Sequence, residues 1–102
     1  MTWLSDLLKD KIAMVTGASR GIGAAIAKRL ASEGAKVAIN YNSSKEQALQ
    51  VLSAVQEVSE GMLVQGDVSV QADAERVLSK VIENWGKIDI LVCNAAVNPF
   101  YG

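Results

Sequence analysis

The residues best suited to chemistry lie in one glycine-rich segment, Thr16-Gly17-Ala18-Ser19-Arg20-Gly21-Ile22-Gly23. The segment follows a short apolar run at 12–15 and leads into a helical pattern. Glycine tolerates positive φ and has no Cβ, so such a loop can turn tightly and bring its backbone against a ligand. A helix that begins there directs free N–H groups and the positive end of its dipole at the loop. Strand, glycine loop and helix N-terminus together predict a phosphate-binding site.

The glycine spacing is informative because it differs from the common dinucleotide fingerprint G-x-G-x-x-G. Here Gly17, Gly21 and Gly23 give the pattern TGxxxGxG. Glycines also mark ordinary turns, and a turn is the alternative interpretation of this segment. Its position between a strand and a helix favours phosphate binding.

Alternating patterns predict the elements that position this loop. Short apolar runs predict strands at 11–16, 37–39, 62–64 and 88–92. A helix is predicted from 21 to 33, with Gly34 as a left-handed cap. Its expected inward residues are Ile22, Ile26 and Leu30, with Ala27 and Ala31 beside them. A second helix is predicted to start at Ser43 or Ser44, with Ser44 and Gln47 forming a capping box, and to end at Gly61. Its expected inward residues are Ala48, Leu49, Leu52, Val55 and Val58.

The third predicted helix is capped by Ser69 and closed by Gly86. Its expected apolar face comprises Val70, Ala74, Val77, Leu78, Val81 and Trp85. Asp89, the one polar residue in the fourth strand, is interpreted as a structural residue.

Strands that alternate with helices predict an α/β fold, a Rossmann-type doubly wound parallel sheet with strand order 3-2-1-4. Ligands of such sheets bind at the carboxyl ends of the strands, where the winding reverses. Three segments with polar residues end at that edge: the glycine loop, Asp67-Val68 and Asn94-Ala95. We therefore expect them to share one site.

Composition limits the kinds of partner and the cellular compartment that we expect for this protein. The chain has 102 residues, half of them hydrophobic, and a net charge of −1. The length suits one domain, and the charge gives no reason to expect nucleic acid or a membrane as partner. One cysteine, no signal-like start and no long apolar run predict a cytoplasmic or other reducing intracellular location.

Taken together, these segments resemble the short-chain dehydrogenase/reductase family. Residues 16–23 are similar to its cofactor loop, and Asp67-Val68 to the pair after strand three that holds the adenine. Cys93-Asn94-Ala95-Ala96 is similar to its N-N-A-G turn, altered at both ends. Through Tyr41 the sequence is similar to 3-oxoacyl-acyl-carrier-protein reductases, and 94–102 to carbonyl- and retinal-reducing members.

The resemblance implies roles for particular residues. Gly17, Gly21 and Gly23 would let the pyrophosphate approach, with Ile22 below the nicotinamide side. Ser19 and Arg20 would bind the phosphate on the adenosine ribose. Asp67 would accept from the adenine amino group beside Val68, and Asn94 and Ala95 would line the adenosine ribose. The alternatives are a helix cap for Asp67 and a simple turn residue for Asn94.

The residues after the second strand favour NADP(H) over NAD(H). An Asp or Glu at that point usually meets the ribose of NAD, whereas a 2′-phosphate needs a cation and hydroxyl donors. Here the strand end is Asn40-Tyr41-Asn42-Ser43-Ser44, in which Asn42 and Ser43 are the candidate binding residues, and the first carboxylate is Glu46. Arg20 can supply the cation. The alternative is that Arg20 is a solvated charge and the serines only cap a helix.

The resemblance places the family's catalytic Ser and Tyr-x-x-x-Lys after the N-N-A-G turn, so we expect this chain to lack both. We therefore predict a partial NAD(P)-binding Rossmann domain, truncated before the catalytic part. Cys93 is expected to be a buried structural residue. The fourth strand should have an open, aggregation-prone edge.

The favoured function is the cofactor-binding part of an NADP(H)-dependent oxidoreductase acting on a carbonyl or alcohol, such as a 3-oxoacyl thioester. The alternatives are a non-catalytic nucleotide-binding chain that associates with full-length relatives, as a homo- or hetero-oligomer, and a fragment without function of its own.

Overall fold

Four strands and three helices alternate along the chain. The structure is a computed structural model, and it describes residues 7–94. The elements, in chain order, are β1 (Ile12–Val15), α1 (Gly21–Ser32), β2 (Lys36–Tyr41), α2 (Lys45–Gln56), β3 (Gly61–Gln65), α3 (Gln71–Trp85) and β4 (Ile90–Val92). None of the described helices has the length and apolarity required to cross a bilayer.

The strands form one parallel sheet in the order β3-β2-β1-β4. The predicted α/β class and strand order are confirmed. β1 lies in the middle, with Ala13 opposite Val37 on one side and Ile90 on the other. All carboxyl ends therefore meet at one edge, and the winding reverses between β1 and β4.

Side-chain alternation along the strands divides the interior into two layers. On one face, Ala13, Val15, Val37 and Ile39 pack with α1 and α2. On the other, Met14 and Ala38 pack against Val77 and Val81 of α3. The sheet is thus covered on both faces, which explains why its central strands are apolar throughout.

Alanines, and not the larger aliphatic residues, form the most deeply buried stripe of α1. Ala24, Ala27 and Ala31 are buried, whereas the predicted inward residue Ile22 is 72% exposed. Small side chains let this helix lie close to the sheet. The predicted cap is confirmed: Gly34 has φ +103°, and the N–H groups of Gly34 and Ala35 bond to the carbonyls of Ala31 and Leu30, a Schellman motif.

The predicted face of α2 is correct only in part. Ala48 and Val55 are buried, but Leu49 is 45% exposed because the helix turns Val51 inward instead. Val58 is 59% exposed because it lies beyond the end of α2 at Gln56. The predicted end at Gly61 is wrong, since α2 ends at Gln56 and Gly61 begins β3.

The predicted side-chain caps are also wrong. Ser44 is the N-cap of α2, but its side chain makes no capping hydrogen bond, so the capping box with Gln47 does not form. Val70 is the N-cap of α3 and is 50% exposed, not part of the buried face. The predicted stop at Gly86 is confirmed, with φ +89°.

Asp89 fastens β4 to β1 at the edge opposite the glycine loop. The Ile12 N–H donates to its carboxylate at 2.9 Å, and its own N–H donates to the Ile12 carbonyl at 2.7 Å. The hydrogen bond from Ile12, assisted by Lys87 at 3.2 Å, lowers the pKa of Asp89. The structural interpretation of this residue is confirmed.

β4 pairs only with β1 within the described part of the chain. Leu91 at its centre is 48% exposed. The expected open edge is therefore present among residues 7–94.

The two apolar positions of α2 should respond differently to truncation. Val55→Ala removes buried methyl groups and should lower the free energy of unfolding by roughly 2 kcal/mol. Leu49→Ala, on the same helix but half-exposed, should change it by less than about 0.5 kcal/mol. Urea unfolding of both variants measures the difference, and equal losses would show that Leu49 is buried as the periodicity predicted.

Acid should weaken the contact between Asp89 and β1. Because the folded pKa is depressed, Asp89 stabilises the fold above its unfolded pKa of about 3.9, and this contribution is lost as pH falls through the folded pKa. Asp89→Asn should thus be less stable than the parent at pH 7, and its stability should fall less between pH 5 and pH 2. Urea unfolding across that range measures this, with Glu83→Gln on the surface of α3 as control. Parallel curves for Asp89→Asn and the parent protein would contradict it.

Candidate functional site

The glycine loop connects β1 to α1 and presents the start of α1 at the carboxyl edge of the sheet. Gly17 has φ +60° and Gly21 has φ +63°, a region that side chains with a Cβ rarely adopt. Arg20, in extended conformation, is the N-cap of α1, and no acidic residue lies in the first turn. The free N–H groups of that turn and the helix dipole therefore favour an anion.

Gly23 is needed for a different reason. A Cβ at this position would overlap the Asn94 side-chain nitrogen and the Gly17 carbonyl oxygen. Gly23 is buried under the loop, so it permits close packing between α1, the loop and the end of β4. By contrast, a Cβ on Gly21 would meet no atom within 4 Å, because that face of the loop is open.

Asn94 ties the end of β4 to the loop. Its side-chain amide donates to the Gly17 carbonyl at 3.2 Å, and its N–H donates to the Thr16 hydroxyl oxygen at 2.7 Å. The Thr16 N–H donates to the Val92 carbonyl at 2.9 Å. Asn94 is therefore more than a simple turn residue, since it fixes the geometry of the glycine loop.

Asn40, which follows the predicted apolar run 37–39 and was not predicted as a site residue, performs the same task from β2. It is 2% exposed. Its side-chain amide donates to the carbonyls of Val64 and Gly66, both at 3.1 Å, and the Gly17 N–H donates to its side-chain oxygen at 3.4 Å. The signal in the sequence is a polar residue directly after the apolar triplet 37–39.

Asp67 lies in a tight turn after β3. Its carboxylate accepts from the Ser69 N–H at 3.0 Å and from the Ser69 hydroxyl at 2.6 Å. Ser69 is thus engaged with Asp67 and does not cap α3 as predicted. Because Asp67 bonds within its own turn, it does not cap that helix either.

Asp73 holds this turn from the first turn of α3. The Asp67 N–H donates to its carboxylate at 2.9 Å, and Arg76 contacts the second oxygen at 3.3 Å. The hydrogen bond from Asp67, followed by that from Arg76, lowers the pKa of Asp73. The ionised carboxylate therefore keeps the start of the turn in place at neutral pH.

These segments surround a cleft of about 970 Å³ at the carboxyl edge, a size typical of small-molecule sites. Eight predicted site residues line it: Gly17, Ser19, Arg20, Asn42, Ser43, Asp67, Val68 and Asn94. Apolar side chains that were not predicted as site residues, among them Met14, Leu78 and Leu91, form part of its wall. The three expected segments therefore meet in one site.

The remaining predicted residues lie elsewhere. Gly21 lines a smaller neighbouring cavity with Arg20 and Lys28. Ile22 is exposed and Gly23 is buried, and neither lines the cleft. Ala95 lies outside the described residues.

The prediction that Cys93 is a buried structural residue is wrong. It is exposed and lines the cleft, because β4 ends at Val92 and the next residue already belongs to the connecting turn.

The charges of the cleft are few. Arg20 is the one cationic side chain and Asp67 the one anionic side chain among its described lining residues. They come from the loops after different strands. Within residues 7–94, no cluster of three or more His, Cys, Asp or Glu residues could hold a metal.

The spacing Tyr-x-x-x-Lys does occur in the chain, at Tyr41 and Lys45. Tyr41 is the last residue of β2 and is 6% exposed, whereas Lys45 begins α2 and is exposed. The two residues are therefore not neighbours one turn apart on a helix. No tyrosine or lysine lines the cleft among the described residues.

Comparison with known proteins agrees with this geometry. The profile of the short chain dehydrogenase family matches residues 11–101, and the chain belongs to that family. An uncharacterized oxidoreductase of Methylorubrum extorquens is 45% identical over 94 residues, which cover 91% of this chain and 38% of the relative.

Two solved structures are similar in fold. A short chain dehydrogenase from Burkholderia cenocepacia in complex with NADP has a TM-score of 0.86 at 43% identity. A blue fluorescent protein from a metagenomic library in complex with NADPH has a TM-score of 0.84 at 37% identity. Each similarity covers 89% of this chain and 38% of the other, so this chain spans well under half the length of these proteins.

The two kinds of glycine should be distinguishable by substitution. Gly23→Ala forces a Cβ against Asn94 and the Gly17 carbonyl, and should lower the free energy of unfolding by about 2 kcal/mol or more. Gly21→Ala meets no atom but must adopt positive φ, at a cost of about 1 kcal/mol. Urea unfolding measures both, and a Gly23→Ala variant as stable as the parent would contradict the packing role.

Proposed function

We propose that the cleft binds NADP(H) and that the chain is the cofactor-binding part of an oxidoreductase acting on a carbonyl or alcohol. The observation that carries the proposal is the meeting of the glycine loop, the end of β2 and the Asp67 turn around one cleft of suitable volume. The family and the nucleotides held by the two similar structures support it.

The residues present fit such a nucleotide. The start of α1 offers N–H groups, the loop has an open face at Gly21, and no acidic residue lies in the first turn to repel a pyrophosphate. Asp67 has carboxylate lone pairs for the adenine amino group, with Val68 beside it. Backbone contacts of Asn94 and Ala95 with the adenosine ribose remain part of the proposal.

The preference for NADP(H) rests on the end of β2. No carboxylate lies there, and the side chain of Tyr41 is buried, so the exposed residues Asn42 and Ser43 form the rim of the cleft. Arg20 lines the same cleft from the loop and supplies the cation that a 2′-phosphate requires. Ser19 and Ser43 supply donors.

When bound, the nucleotide supplies hydride chemistry at its nicotinamide ring. The described residues bind and orient it: α1 and the loop hold the pyrophosphate, and the Asp67 turn fixes the adenine end. Apolar side chains, among them Met14 and Leu91, form part of the cleft wall. We also propose a carbonyl substrate, such as a 3-oxoacyl thioester. This part of the proposal rests on the sequence resemblance.

A non-catalytic nucleotide-binding chain is the second candidate. It is favoured by the burial of Tyr41 and by the absence of tyrosine and lysine from the described cleft lining. Saturable NADPH binding without NADPH oxidation in the presence of carbonyl substrates would select it, and turnover would exclude it.

Arg20→Glu should separate the two nucleotides. Fluorescence titration of the parent protein should show saturable binding, tighter for NADPH than for NADH. Replacing the cation by a carboxylate should raise the dissociation constant for NADPH roughly 10- to 100-fold, because a charge-assisted pair becomes a repulsive one, and should change that for NADH only a few-fold.

Lys80→Glu is the matched control, since it makes the same charge change on an exposed part of α3. It should leave both dissociation constants within about twofold of the parent values, as expected for a distant, screened charge. Equal losses for NADPH and NADH in Arg20→Glu would show that Arg20 does not meet the 2′-phosphate. A folded parent protein that binds neither nucleotide would overturn the proposed function.

A further inference from the structure

Asn40 is a buried polar residue between the two halves of the cleft. It and Thr16 are the buried polar residues of the described chain. β2 lies between β1 and β3, so the end of β2 adjoins both the glycine loop and the segment that leads to Asp67. Asn40 is therefore in contact with both sides of the proposed site.

Its hydrogen bonds divide evenly between these sides. Toward the glycine loop, it accepts from the Gly17 N–H through its side chain and from the Ala18 N–H through its carbonyl at 2.9 Å. Toward β3, its side-chain nitrogen donates to the carbonyls of Val64 and Gly66. Gly66 directly precedes Asp67.

Asparagine suits this position chemically. It offers an acceptor oxygen in one direction and two N–H donors in the other. An ionised aspartate has the same shape but only acceptors, so it would face two carbonyl oxygens without a proton to share. An aliphatic side chain would leave those carbonyls unpaired.

We propose that Asn40 is a positioning residue for the nucleotide, holding the glycine loop and the Asp67 turn in one geometry so that the pyrophosphate and adenine contacts form together. The inference rests on the proposed function. Asn40 does not line the cleft. It affects the affinity for NADPH through the glycine loop and the Asp67 turn, which do line it.

Asn40→Asp tests the inference because its effect depends on protonation. At pH 8.5 the introduced carboxylate repels the two carbonyls, and the dissociation constant for NADPH should rise about tenfold, the order expected for a lost buried hydrogen-bonding arrangement. Burial and the missing donors raise the pKa of the introduced carboxyl. Toward pH 6 it gains a proton, donates again and should recover affinity.

At each pH the dissociation constant of the variant is divided by that of the parent. In this ratio the titration of the nucleotide's own phosphate cancels, because it affects both proteins equally. The chain has no histidine, and the charged or titratable groups on the surrounding segments are Arg20, Tyr41, Asp67, Asp73, Arg76 and Cys93, which both proteins share. The ratio should therefore fall as pH is lowered. A ratio near one at pH 8.5, or a raised ratio that does not change with pH, would overturn the inference.

Ser59→Ala is the control for a general loss of stability. Its hydroxyl donates to the Ala35 carbonyl at 2.6 Å, at the opposite edge of the sheet. It should lower the urea midpoint and leave the dissociation constant for NADPH within about twofold. A comparable loss of affinity in Ser59→Ala would show that stability alone, and not positioning, governs binding.

Two further measurements keep the test decisive. If Asn40→Asp does not fold, Asn40→Ser, which keeps one donor and one acceptor, should weaken NADPH binding several-fold, and unchanged affinity overturns the inference. Hydrogen exchange without nucleotide should show Gly17, Ala18 and Asp67 amides losing protection together in Asn40→Ser, but not in Ser59→Ala. That readout distinguishes failure of the inference from failure of the proposed function.

Discussion

The carboxyl edge of the sheet depends on one requirement: buried backbone polar groups must find hydrogen-bond partners where the strand ladder stops. Four strands end together here, and two side-chain amides supply the missing partners. Asn94 satisfies the Gly17 carbonyl, and Asn40 satisfies those of Val64 and Gly66. No buried side-chain nitrogen or oxygen of the described chain lacks a partner. The glycine loop and the end of β3 are therefore held by side-chain amides that carry no charge.

This arrangement explains why the three glycines of the loop are not equivalent. The loop turns at Gly17 and Gly21, and both turns require positive φ. In addition, α1 must start close enough to β4 for Asn94 to reach the Gly17 carbonyl. The second condition excludes a Cβ at Gly23. Because the Asn94 side chain occupies the Gly17 carbonyl, the N–H groups at the start of α1 remain for a ligand on the open face of the loop.

Much of the fold could be predicted from the sequence because strand and helix patterns alternate regularly, and parallel crossovers leave few strand orders. Helix faces were less predictable. Periodicity gives the same weight to Ile22 and Leu49 as to buried residues, yet the close approach of α1 selects alanines and the rotation of α2 selects Val51. Asn40 was missed because its partners come from other strands, so only the tertiary fold reveals them.

The charge distribution of the cleft bears on the proposed preference for NADP(H), because the protein as a whole has no strong positive electrostatic field. With a net charge of −1, the chain has no large positive potential to attract phosphates from a distance. In the proposed function a phosphate is instead stabilised locally, by Arg20 and by the dipole of α1; the dipole acts within about one helix turn, and a charge in solution is screened over roughly 8–10 Å. Such short-range contacts stabilise a phosphate only if the loop is held in position. The neutral amides of Asn40 and Asn94 provide that rigidity without adding a charge that would compete for Arg20 or repel the phosphate.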